Sequence, residues 1–182
     1  MAEMTAKRRR FMGKYDGKKR MWLREAKKFL LLLLAVYLVF RFVIGFSVVS
    51  GVSMNDTLTD GDLVLYTRIH GEIERGDIIS VGIPSGEYYV KRVVALGGDV
   101  VDLCDGVLYV NGESETGDFI KGATYPEEGS FTYPYTIAPG DAFVLGDNRE
   151  ESIDSRFFGA VNLRQVKGVL RLRLGWLYAD LL

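Results

Sequence analysis

One cysteine and one histidine stand in 182 residues. Cys104 alone forms no intramolecular disulfide and builds no thiolate zinc site. His70 is the only imidazole. That excludes a two-His metal site and leaves a Ser-His machine one residue to use. There are only four Pro, no low-complexity stretch, and no repeat of solenoid period. Apolar residues make up 48% and charged residues 26%, enough for one packed domain with an appendage.

The net charge of -1 hides an asymmetry. Residues 1–28 hold 11 Lys and Arg against 3 Asp and Glu, and the remainder holds 12 against 21. A basic arm on an acidic body suggests a nucleic-acid tail. The segment after the arm favours another reading. Phe29 to Val49 is a 21-residue run with one charge, Arg41. As a helix it would measure roughly 31 Å, against a hydrocarbon core of about 30 Å. Its 16 Leu, Ile, Phe and Val residues favour insertion by roughly 5–10 kcal/mol, and one central Arg costs about 2.5–3.5. The pattern therefore predicts a basic cytoplasmic segment over 1–28, a transmembrane helix over 29–49, and an extracytoplasmic domain over 50–182. A cleaved signal peptide is the rival, since Phe29–Phe40 has the length of its apolar region. The long basic segment and the apolar continuation to Val49 count against it. No helix-turn-helix pattern supports nucleic-acid binding.

After Val49 the chain turns to short apolar runs between Gly and Asp turns. The strands expected are Leu63–Arg68, Asp77–Val81, Tyr88–Leu96, Val100–Leu103, Val107–Val110, Ala142–Leu145 and Val166–Leu174. Asp105-Gly106 between two β-branched runs predicts a type I′ hairpin. Leu170, Leu172 and Leu174 alternate with Arg171 and Arg173, which predicts a half-buried strand. Residues 112–139 are polar and without pattern, and are expected to form a long excursion with a small hairpin of its own. The fold class is all-β, a barrel or sandwich of bent sheets with one N-terminal transmembrane helix. The closing segment Gly175–Leu182, with Trp176 and Tyr178, is either core packing or an apolar tip resting on the bilayer.

Three stretches carry the chemistry. Gly51-Val52-Ser53-Met54 follows the apolar run and brings a Ser close to the lipid surface. In Tyr88–Val94, alternation puts Tyr89, Lys91 and Val93 on one strand face. A Lys among apolar strand residues either lies on a solvated face or is desolvated, and desolvation lowers its pKa. A neutral amine then takes the proton from a serine hydroxyl, so a Ser-Lys pair needs no His. The third stretch, Gly146–Arg156, is dense in polar groups. It reads as a surface loop with internal ion pairs or as the support for that base, with the Ser152 hydroxyl accepting from Lys91.

These stretches, in this order, resemble the bacterial type I signal peptidases. Ser53-Met54-Asn55-Asp56-Thr57-Leu58 is similar to that family's nucleophile box and Gly61-Asp62-Leu63-Val64 to the next. Arg75–Ile79 with Lys91-Arg92-Val93-Val94 resembles the base-bearing box. Gly146-Asp147-Asn148 with Ser152, Asp154, Ser155 and Arg156 resembles the last. The similarity spans roughly residues 25–170. It implies Ser53 as acylated nucleophile and Lys91 as base, with the Ser53 N–H and a backbone group at Gly51 facing the oxyanion. Ser152 would orient Lys91, and Asp154 would support the site in a pair with Arg156. Asp147 would pair with Arg92, and Met54 would line the substrate pocket. The substrates implied are preprotein signal peptides with small residues at positions -1 and -3. The bilayer is the other partner and the secretion translocon a further candidate. No metal, cofactor or nucleic acid is called for.

The chain departs from the family where Asp56 replaces the usual Pro. It departs again where Ala95-Leu96-Gly97-Gly98-Asp99 replaces Gly-x-Pro-Gly-Asp. Two other Ser-Lys architectures fit less well. Self-cleaving repressors carry a DNA-binding domain, and penicillin-binding enzymes need Ser-x-x-Lys. A membrane-anchored assembly factor for exported or pilus subunits, catalytically weak, is the non-enzymatic alternative.

Overall fold

The computed structural model describes residues 2–83, 86–127, 131–174 and 179–181, with side chains from residue 20 to 174 of these. It divides into two units, Met1–Phe42 and Val43–Leu182.

The first unit is one helix, α1 (Ala2–Phe42). It stops inside the apolar run, and this corrects the expected transmembrane helix over 29–49. Among the described residues no helix is long and apolar enough to cross a membrane. The reason is length. The apolar part of α1, Phe29 to Phe42, would span about 21 Å at 1.5 Å per residue. The turn before it carries Arg24, Glu25, Lys27 and Lys28. The rest of the run, rich in β-branched residues that favour strands, becomes β1 (Ile44–Val48).

Eleven further strands follow: β2 (Leu63–Thr67), β3 (Ile78–Gly82), β4 (Tyr88–Leu96), β5 (Val100–Cys104), β6 (Val107–Val110), β7 (Glu113–Ser114), β8 (Tyr135–Thr136), β9 (Asp141–Leu145), β10 (Val161–Asn162), β11 (Val166–Leu174) and β12 (Ala179–Leu181). One short helix, α2 (Ser155–Phe158), lies between β9 and β10. The larger sheet runs β1-β2-β11-β3-β4-β9-β10, with β12 added to β11, and the smaller runs β7-β6-β5-β8. Every pairing is antiparallel. Register shifts interrupt β4 against β9 and β11 against β2 and β3. Such bulges bend a sheet and sharpen its twist. The second unit is thus all-β with a curled principal sheet.

Three apolar clusters hold it together. Val94, Ala95, Val101, Leu108, Val110, Ile137, Phe143 and Leu145 join β4 and β9 of the larger sheet to the smaller sheet. Ile79, Val81, Val93, Val144, Val161 and Val169 form a second cluster within the larger sheet. Met54 and Leu58 pack onto Val64, Tyr66, Ile78 and Leu170 in a third, which seats the loop between β1 and β2. Along β4, Val93 and Val94 enter different clusters, and the bulge between Val93 and Ala95 lets the neighbours Val94 and Ala95 share the first.

The hairpin at Asp105-Gly106 forms, with both residues at positive φ, as a type I′ turn demands. Among its described residues the excursion 112–139 makes no hairpin of its own. Its two ends become β7 and β8 and pair with β6 and β5 instead. Its middle crosses the loop after β9: the Lys121 N–H donates to Asp147 O and the Arg149 N–H to Lys121 O, both at 2.8 Å. The apolar tip expected around Trp176 and Tyr178 lies outside the described residues.

Candidate active site

Ser53 sits on the loop joining β1 to β2, and Lys91 in the middle of β4. The strand holds Lys91 from both sides. On one side β3 pairs Ile79 opposite it. On the other, β9 pairs with the following residues, Arg92 and Val93. Lys91 Nζ donates to Ser53 Oγ at 2.7 Å. Lys91 as a whole is 3% exposed, and its amine lies 5.5 Å from the Tyr89 ring centre, on the strand face that alternation assigns to both. Burial pushes its pKa down to about 8; the Asp154 carboxylate opposes that shift, Arg156 adds to it and Asp147 opposes it. The cause is loss of hydration around the charged form, which disfavours an ammonium more than an amine.

The loop after β9 supplies the counter-charges. Asp154 is fully buried. It accepts from Arg156 Nε at 2.9 Å and from the Gly146 N–H at 3.1 Å. It also caps α2 by accepting from the Arg156 N–H. Asp147, also fully buried, is held bidentately by Arg92 Nε at 2.8 Å and an Arg92 terminal nitrogen at 2.7 Å. It also accepts from Thr57 Oγ1 at 2.6 Å. Both ion pairs that the resemblance implied are present. Buried carboxylates need such partners, since an isolated charge in this setting costs several kcal/mol.

A serine hydroxyl and an amine lie within proton-transfer distance, and the lowered pKa gives that amine a larger neutral fraction near pH 8 than an ordinary Lys has. The pair can carry out acyl transfer without a metal. The protein-family model described as "Signal peptidase, peptidase S26" matches residues 22–176. The chain belongs to the signal peptidase family. Its activity is that of an S26 serine peptidase, a hydrolase that removes signal peptides. Signal peptidase I of Bacillus caldolyticus is 37% identical over 147 residues, covering 72% of this chain and 80% of that one. Signal peptidase IB of Staphylococcus aureus is 32% identical over 162 residues, covering 80% and 84%. A crystal structure of a signal peptidase I from Enterococcus faecalis aligns with 36% identity and a TM-score of 0.46, over 55% of this chain and 97% of that one.

Three residues assigned by resemblance to this family stand differently in the structure. Met54 is 1% exposed and packs into the core beside Leu58, so it presents no surface to a substrate. Gly51 has φ +95 with open space where a Cβ would be, and that conformation explains the Gly. Its N–H, however, donates to Asp60 Oδ1 at 2.8 Å and is not free to face an oxyanion. Ser152 does not hydrogen-bond Lys91. Its hydroxyl is buried with no partner, packed so closely on Gly146 that a Cβ there would collide with Ser152 Oγ and Ser53 O.

The sequence reading missed several residues that fix this arrangement. Asn148, 5% exposed, clamps the Ser53 backbone. Its N–H donates to Ser53 O at 3.0 Å and its side-chain amide to Val52 O at 3.1 Å. Arg149 is 1% exposed. It ties Gly146 O at 3.0 Å and Thr124 Oγ1 at 2.8 Å to an ion pair with Glu115 at 2.8 Å. An Arg in a polar loop reads as solvated, so no pattern could have marked it. Asn148 lay inside the quoted Gly-Asp-Asn motif, which was signal enough. Asp56 is exposed and meets Lys121 at 3.7 Å.

Proposed function

We propose that Ser53 is the acylated nucleophile and Lys91 its general base, cleaving signal peptides with small residues at positions -1 and -3. The observation that carries this reading is the 2.7 Å contact between a buried amine and the Ser53 hydroxyl. Neutral Lys91 takes the Ser53 proton as Oγ attacks the scissile carbonyl. The Ser53 N–H donates to the resulting oxyanion. Lys91 passes the proton to the leaving amine, releasing the mature protein. A water activated by Lys91 then hydrolyses the ester and frees the signal peptide. Asp154 and Arg156 act through the shape and field of the loop that covers Lys91. Ser152 is reserved for the acyl-enzyme stage, when Ser53 Oγ no longer accepts from Lys91 and the amine needs another acceptor.

The substrate adds as an extended strand beside the site. The first unit holds the enzyme at the bilayer. Its large apolar residues from Phe29 to Phe42 are exposed, and basic residues precede them, a pairing suited to anionic lipid. Membrane residence raises the effective concentration of signal peptides presented there. The test is cleavage of an exported precursor by purified enzyme in lipid or detergent. Ser53→Ala and Lys91→Ala should each abolish cleavage while remaining folded. Cleavage at the wild-type rate by either variant would refute the assignment.

A further inference from the structure

Nothing in the strand pattern assigns a task to Arg173. Alternation along β11 marks it only as the polar partner of Leu172 and Leu174. In the structure it is 14% exposed at the side chain, and it points into the loop that carries Ser53. Its Nε pairs with Asp62 Oδ2 at 2.7 Å. One terminal nitrogen donates to Thr57 O at 3.0 Å and the other donates to Thr59 Oγ1 at 3.3 Å. Asp62 Oδ2 in turn accepts from the Thr59 N–H at 2.7 Å. One guanidinium thus gathers three points of the loop's second arm. A planar fork with five donors can do this, and a lysine cannot.

That second arm is bonded to the first. The Leu58 N–H donates to Met54 O at 2.7 Å, and the Gly51 N–H donates to Asp60 Oδ1 at 2.8 Å. These two rungs bracket Ser53. Thr57, held through its carbonyl by Arg173, uses its hydroxyl to reach Asp147, which is held by Arg92 beside Lys91. Arg173 therefore lies at one end of a bonded path whose other end is the strand that bears the base.

We propose that Arg173 is a positioning residue for catalysis: from β11 it fixes the loop of residues 49–62 so that Ser53 Oγ stays on the Lys91 amine. The inference rests on the assignment of Ser53 and Lys91 above. A loop, unlike a strand, has no ladder to hold its register, and a displacement near 1 Å at a reacting atom costs on the order of 100-fold in rate. Arg173 touches no substrate, so its loss acts on the chemical step rather than on binding.

The experiment measures kcat and KM for a signal-peptide substrate in wild type, Arg173→Gln, Arg173→Lys and Ser53→Ala, with folded fraction followed by thermal melting. The expected result for Arg173→Gln is a kcat lowered roughly 10–100-fold with KM within about threefold. Arg173→Lys keeps the ion pair with Asp62 and should lose about fivefold in kcat. If Arg173→Gln fails to fold, Arg173→Lys decides: a lowered kcat at unchanged KM supports the inference, and a wild-type kcat overturns it. A folded Arg173→Gln with wild-type kcat, beside an inert Ser53→Ala, overturns the inference alone. A fully active Ser53→Ala would overturn the nucleophile assignment and this inference together.

Discussion

The two groups proposed to react are held in opposite ways. Lys91 stands in mid-strand, with β3 on one side and β9 pairing along the other, and its position follows from the ladder. Ser53 stands on a loop, and its position follows from side chains: Asn148 on one flank, Asp60 and Arg173 on the other. The base comes with the fold, whereas the nucleophile depends on a few replaceable bonds. It follows that changes near Lys91 should alter the base's chemistry and stability, while changes around Ser53 should alter geometry and therefore rate.

The sharpest break of this contrast is at Lys91 itself. Lys91→Met removes the base and should lower cleavage by at least about 1,000-fold, by analogy with loss of one member of a nucleophile-base pair. It should also stabilise the protein. The folded pKa of about 8 lies below the ordinary 10.5, so the unfolded chain binds more protons between those values. The cost to stability is fully present below pH 8 and is relieved as pH rises toward 10.5. At neutral pH the variant should gain on the order of 3 kcal/mol in unfolding free energy; chemical denaturation checks it.

Next is the buried pair behind the base. Asp154→Ala leaves Arg156 uncompensated at 3% exposure and should cost about 3–5 kcal/mol. The melting temperature reads that loss. Gly51→Ala has room for its methyl group but must keep φ near +95. It should cost about 1–2 kcal/mol and lower kcat more than KM, because the loop would relax around Ser53. Smallest is Asp56→Ala. Its ion pair with Lys121 is long and exposed on both sides, so stability should move by less than about 0.5 kcal/mol.

The strands were legible because their patterns are local. Tyr88–Leu96, Val107–Val110 and Val166–Leu174 are short runs between turn residues and form at the bounds expected, and Asp105-Gly106 admits little but a tight turn. The ion pairs Arg92–Asp147 and Arg156–Asp154 were legible only through resemblance, since 55 residues separate the first pair. Ile44–Val48 was not read as a strand: five uncharged residues, Ile-Gly-Phe-Ser-Val, continue a run long enough to suggest a membrane helix, and their pairing with β2 comes from a distant segment. Met54 likewise gave no sign of its direction, because a loop has no period from which to read one. Arg149 and Arg173 are long side chains whose partners come from distant segments, and composition alone assigns such residues to solvent.

The central claim is that a dehydrated amine at position 91 draws the proton from Ser53. Its most direct test is the pH dependence of Ser53 acylation in a single turnover, using a serine-reactive acylating inhibitor or a signal-peptide ester. With Lys91 titrating near 8, the rate should climb about tenfold per pH unit up to that value and then level off, and Lys91→Ala should erase both the rate and its slope. A rate still rising steeply through pH 10, or acylation that survives in Lys91→Ala, would contradict the claim.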